Sequence, residues 1–155
     1  MSAPPRLVLV TGSRALVGNA TASAWLVSRL DELAPSLVVA GDARGPDVWA
    51  ADWARSRRVV LRCYDLAGRV VDGERVACGQ WTDDAPPARD AGRALWAAWC
   101  LHRDRVMVQH VARRADRYAA TVLALTSRSS DTKGTAFTVG RAKAAGLAVV
   151  AEAWS

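Results

Sequence analysis

The chain has 155 residues, enough for one domain with a substantial core, and 51% of them are hydrophobic. A formal charge of +6 and a pI of about 10.0 fit an anionic partner, and fit equally an arginine-rich solvated surface, because only Lys133 and Lys143 are lysines. No apolar stretch reaches the ~18 residues of a membrane span, the opening MSAPPRLVLVTGSR lacks the basic start of a signal peptide, and three scattered cysteines outline neither a disulfide framework nor a zinc site. A single domain over residues 1–155 is expected, cytoplasmic, with no metal and no cofactor.

In chain order, residues 6–11 (RLVLVT) form a continuous apolar run bounded by Pro4-Pro5 and Gly12, as in a strand buried on both faces. Helical spacing follows over 19–33 through Trp25, Leu26 and Leu30. A second strand is expected at 37–40 (LVVA), a helix over 47–57 with Val48, Trp49 and Trp53, and a third strand at 59–63 (VVLRC). Residues 66–89 interrupt the pattern. There GRVVDGERVACG places Asp72-Gly73 between two alternating stretches, the signature of a tight β-hairpin, before a proline-rich loop. Helical spacing resumes over 91–115, with a bend expected near His102, then a strand at 119–125 (AATVLAL), a helix over 135–145 and a last strand at 147–151 (LAVVA).

Strands alternating with helices in this way predict an α/β fold, a Rossmann-like doubly wound parallel sheet of order 3-2-1-4-5 with a β-hairpin insertion. In that order the first strand and the 119–125 strand are neighbours at the topological switch point. Ligands bind beyond the carboxyl ends of strands at such points, so TGSR, GDARGPD and TSRSSDTKG are expected to converge there.

Each of these loops carries residues suited to an anion. Gly12 permits close backbone approach, Ser13 offers a hydroxyl and Arg14 a charged fork, although the turn is not a G-x-G-x-x-G fingerprint. Gly41 and Gly45 flank Arg44 in an open basic mouth, while Pro46 suits a first helical turn and Asp47 complements the positive helix end. Lys133, Gly134 and Thr135, with Thr132 beside them, look like a phosphate cradle at a helix start. Trp49 with Trp53, and Trp96 with Trp99, have the spacing of packing pairs, and His102 and His110 form no ligand pair.

LVLVTGSR, VVAGDARGPDVWAADWA, HRDRVMV and a KGT opening a helix, in this order, resemble the YspA/YpsA-like branch of the SLOG superfamily. These are Rossmann-like domains related to the Lonely Guy (LOG) phosphoribohydrolases and to the DNA-processing protein DprA. The resemblance covers the chain outside 66–89. It sets Arg103-Asp104-Arg105-Val106-Met107 against a family R-N-x-x-M, which implies that Arg103 neutralises a phosphate and that Asp104, in place of asparagine, bonds a ribose hydroxyl or pairs with an arginine. In the LOG enzymes P-G-G-x-G-T-x-x-E holds phosphate and supplies a glutamate for N-glycosidic cleavage. Aligning Gly134-Thr135 with that G-T puts Thr138 where the glutamate belongs, so the carboxylate is missing.

The resemblance therefore implies binding or sensing of a nucleotide or nucleotide-derived ligand, ADP-ribose-like or a nucleoside phosphate, without LOG-type hydrolysis. Gly12, Ser13, Arg14, Gly41, Arg44, Gly45, Asp47, Arg103, Thr132, Lys133, Gly134 and Thr135 are the expected ligand residues. The alternative is a nucleotide or NAD N-glycosidic hydrolase in which Asp42, Asp47 or Asp104 replaces the glutamate. A third reading is single-stranded nucleic-acid binding. Homo-oligomerisation is expected from the family.

Overall fold

The computed structural model describes residues 2–64, 70–71, 74–75, 93–129 and 133–155. Five strands form one parallel sheet: β1 (Arg6–Gly12), β2 (Leu37–Ala40), β3 (Val60–Cys63), β6 (Ala119–Ser127) and β7 (Ala148–Trp154). Their spatial order is β3-β2-β1-β6-β7, the expected 3-2-1-4-5 arrangement, and every neighbouring pair is parallel. β4 (Val70–Val71) and β5 (Glu74–Arg75) pair antiparallel on either side of residues 72–73, as the expected hairpin requires. The rest of that insertion lies outside the described residues, as do Cys78, Thr132 and the side chains of Trp96 and Trp99.

β1 is apolar on both faces because both faces are covered. Val8 and Val10 point to one side, where Leu26 and Leu30 of α1 (Ala20–Leu33) and Ala50, Trp53 and Ala54 of α2 (Pro46–Arg57) pack. Leu7 and Leu9 point to the other, against Val106, Met107 and Val111 of α3 (Arg93–Ala112) and Ala142 of α4 (Lys133–Ala144). All four β1 side chains are wholly buried, each worth roughly 1.5–3 kcal/mol. The strand is thus the central slab of a three-layer sandwich.

Local signals mark the helix ends. The Asn19 side chain accepts a hydrogen bond from the Ala22 amide at 3.0 Å and starts α1. Gly45, with φ of 89°, turns the chain into α2, and Pro46 occupies the first helical turn. α3 runs unbroken through His102, where a bend was expected. α4 begins two residues earlier than its apolar spacing indicates, so Lys133 and Gly134 belong to its first turn. Among the described residues, no helix is long and apolar enough to cross a membrane.

The register fixes which loops meet. Gly12 pairs with Leu125 across β1 and β6, while Val10 pairs with Ala40 across β1 and β2. The carboxyl ends of these strands therefore share one edge of the sheet.

Candidate functional site

Beyond that edge, at the point where the strand order reverses, lies a cleft of about 830 Å³, within the size range of small-molecule sites. Its polar lining comes from four elements: Ser13 and Arg14 after β1, Asp47 from α2, Arg103 and Asp104 from α3, and Lys133, Gly134 and Thr135 at the start of α4. Ala97, Cys100, Leu101 and Met107 add an apolar wall along α3. The signal for that wall lies in the sequence, where the apolar positions 97, 100, 101 and 107 share one face at helical spacing.

The β1 loop is held from below. The Ser13 amide donates to the Leu125 carbonyl at 2.9 Å, carrying the ladder one residue past the strand. Its hydroxyl accepts from the Ala15 amide at 3.2 Å and caps a single 3-10 turn, Arg14–Leu16. Ser13 is buried by this role, whereas Arg14 stands exposed. A Cβ on Gly12 would meet Pro46 Cγ at 2.3 Å, so the space left by this glycine is filled by the first turn of α2.

The second loop closes on itself. Asp47 Oδ2 accepts a hydrogen bond from the Ala43 amide at 3.1 Å, and the Asp47 residue is only 6% exposed. Gly41 makes room for it: a Cβ there would lie 2.8 Å from Asp47 Oδ2 and 3.2 Å from Arg103 Cζ. Arg44 is exposed, and neither it nor Gly41 nor Gly45 lines the cleft.

Arg103 is the centre of a buried charge cluster. Its Nη1 donates to Asp42 Oδ1, while Nε and Nη2 both reach Asp104 Oδ1 at 3.3 Å. Burial works against the guanidinium charge, but Asp104, Asp47 and Asp42 together outweigh it and hold Arg103 firmly protonated. Three carboxyls thus face one cation. Burial pushes Asp47 up to about 7, against the pull of Arg103, with Asp104 and Asp42 adding to the rise. Burial also raises Asp104, opposed by the charge of Arg103 and by its hydrogen bonds to the carboxylate. The fork that the resemblance assigns to a phosphate is occupied by protein carboxylates.

Asp104 also borders α4. A Cβ on Gly134 would lie 3.7 Å from Asp104 Oδ2. Thr138 is fully buried, donates its hydroxyl to the Gly134 carbonyl at 3.0 Å and stays outside the cleft lining. A carboxylate from α3 therefore stands beside the helix position where the LOG pattern carries its own. Lys133 is exposed at the rim and Thr135 is buried in the first turn.

The floor of the cleft is consequently acidic around a single guanidinium, and its rim is basic. No protein-family model matches the chain, and no curated protein matches it. A solved structure, DNA processing protein A (DprA) from Streptococcus pneumoniae, is similar to it with a TM-score of 0.55 at 18% identity, over 95% of this chain and 50% of that one. The fold is DprA-like. At that identity the likeness is one of architecture, and the chain spans half the length of the DprA chain. The five-stranded DprA-like sheet places its switch point under the cleft.

Proposed function

We propose that this is a single Rossmann-like domain of the SLOG type, nearest the YspA/YpsA-like branch, that binds a nucleotide or nucleotide-derived ligand such as ADP-ribose or a nucleoside phosphate. The observation that carries the reading is the division of the cleft. Arg14, Lys133 and the first turn of α4 offer an anion two basic side chains and the positive end of a helix. Leu101 and Met107 offer a base an apolar wall. The carboxyl of Asp104 between them suits ribose hydroxyls. Arg103 acts here as the counter-ion that makes such an acidic floor tolerable.

Calorimetric titration with AMP, ADP-ribose, NAD and cyclic ADP-ribose tests this directly. Binding of one of them, weakened in Arg14→Ala and Lys133→Ala, is expected. Failure of all four to bind the wild type would remove the reading.

One observation favours the hydrolase as a second reading: the Asp104 carboxylate borders Gly134 and Thr138 at the cleft. Release of free base from AMP or nicotinamide from NAD, abolished in Asp104→Asn, would establish it; the binding reading expects neither product. The solved neighbour is named as a DNA-processing protein, so binding of single-stranded oligonucleotides, with its steep salt dependence, is a third outcome of the same titrations. Homo-oligomerisation belongs to the proposal and is read by sedimentation.

A further inference from the structure

The reading of the cleft as an anion-binding nucleotide site leaves one group unexplained. Asp47 is only 6% exposed, and its sole hydrogen bond is the one that Oδ2 accepts from the Ala43 amide at 3.1 Å. Gly41 backs Oδ2 so closely that no side chain fits between. Oδ1 makes no hydrogen bond among the described residues, and Asp47 lines the cleft. The charged groups facing Asp47 are Arg103 and Asp104 of α3 and Asp42 of its own loop. Two of these are carboxylates already bound to the one guanidinium. Among the described residues a third full negative charge in this enclosed space has no cation of its own, and burial penalises it further.

We propose that Asp47 is a ligand contact that works as a hydrogen-bond donor: its Oδ1–H is given to an anionic oxygen of the bound ligand, so that binding is coupled to uptake of one proton. The position of the proton follows from the hydrogen bonding. Oδ2 is the acceptor for Ala43, so the proton of the neutral acid sits on Oδ1, the oxygen left for a ligand in the cleft that Asp47 lines. Once that proton leaves, the same oxygen becomes a negative charge facing an anion. The rise of Asp47 to about 7 puts the exchange in the physiological range. The ligand class is narrowed accordingly, to one that brings a phosphoryl or carboxylate oxygen to the β2–α2 side of the cleft as well as to the basic rim.

ADP-ribose is the appropriate probe, because its diphosphate stays fully ionised through the range, whereas a phosphomonoester takes up its own second proton near pH ~6. Affinity is measured calorimetrically between pH 5.5 and 8.5, in buffers of differing ionisation enthalpy. The expected result is a constant affinity below pH ~6, a loss approaching about tenfold per pH unit above the Asp47 midpoint, and uptake approaching one proton per ligand there. In Asp47→Asn the side-chain oxygen still accepts from Ala43 and the amide still donates to the ligand, so the profile becomes flat and proton uptake disappears. Asp47→Ala loses affinity most at low pH.

Binding of ADP-ribose that is independent of pH, or a pH dependence that survives in Asp47→Asn, overturns this inference and leaves the site reading intact. Absence of binding at every pH overturns both. If the variants fail to fold, the wild-type proton uptake decides alone, since a neutral acceptor or a spectator Asp47 takes up none.

Discussion

Arg103 and Asp104 are neighbours in the chain and partners in space: two nitrogens of the guanidinium, Nε and Nη2, each lie 3.3 Å from the same carboxylate oxygen. With Asp42 on Nη1 and both residues of the pair buried, the cation is enclosed by protein. Removing it leaves the buried Asp104 carboxylate without its counter-ion. Arg103→Met is expected to destabilise the fold by about 3–5 kcal/mol, read from urea denaturation. Arg103→Lys is expected to recover little, since an ammonium lacks the planar fork that serves Asp42 and Asp104 together. Full stability in Arg103→Met would show that the cluster is dispensable.

Two glycines are expected to be intolerant for steric reasons alone. Gly41→Ala places a Cβ 2.8 Å from the Asp47 carboxylate, and Gly12→Ala places one 2.3 Å from Pro46 Cγ and 3.1 Å from the Leu125 carbonyl. Each is expected to cost roughly 1–3 kcal/mol and to lower the thermal midpoint. Gly140→Ala, where nothing lies within 4 Å of the added atom, serves as the control and is expected to stabilise α4 by up to ~1 kcal/mol.

Much of the fold could be read from apolar runs, because a strand covered on both faces must be apolar at every buried position, and 7–10, 37–40 and 122–125 satisfy that. The loops at the switch point followed from topology. Pairings across distance were not legible. Nothing local in GDARGPD announces that Asp42 meets Arg103, 61 residues away, or that Gly41 is bare in order to admit Asp47. Tyr64 and His110, 46 residues apart, are likewise buried together, the phenol bonded to Nδ1 and the rings edge to face with centroids 5.2 Å apart. A basic motif residue likewise says nothing about which acids have already claimed it.

That Tyr64–His110 pair gives the acid limb of stability. Burial first, then Arg114, Arg62 and Arg113, push His110 down from 6.5 to about 3. The unfolded chain therefore binds a proton that the folded one refuses between pH 6.5 and 3, and stability falls as pH falls through that window. His110→Gln is expected to flatten the urea midpoint there. Asp47 acts oppositely: raised from 3.8 to about 7, it binds its proton more tightly when folded, so its contribution falls as pH rises between those values. Asp47→Asn is expected to remove that decline.

The rim charges are exposed, so their effect on an anionic ligand is modest and screened. Arg14→Ala and Lys133→Ala are each expected to weaken binding about two- to fivefold, equivalent to ~0.5–1 kcal/mol. The difference between wild type and variant is expected to shrink in 0.5 M salt, where the Debye length is roughly halved from its physiological value. Titration at two salt concentrations checks both points.

The central claim is that the cleft between the β1 loop and the start of α4 holds a nucleotide. Amide resonances of the ¹⁵N-labelled protein, followed during titration with ADP-ribose and AMP, test it most directly. Saturable shifts concentrated at Ser13, Arg14, Asp47, Asp104, Gly134 and Thr135 are the predicted result. Shifts centred elsewhere on the molecule, or none at millimolar ligand, would contradict it.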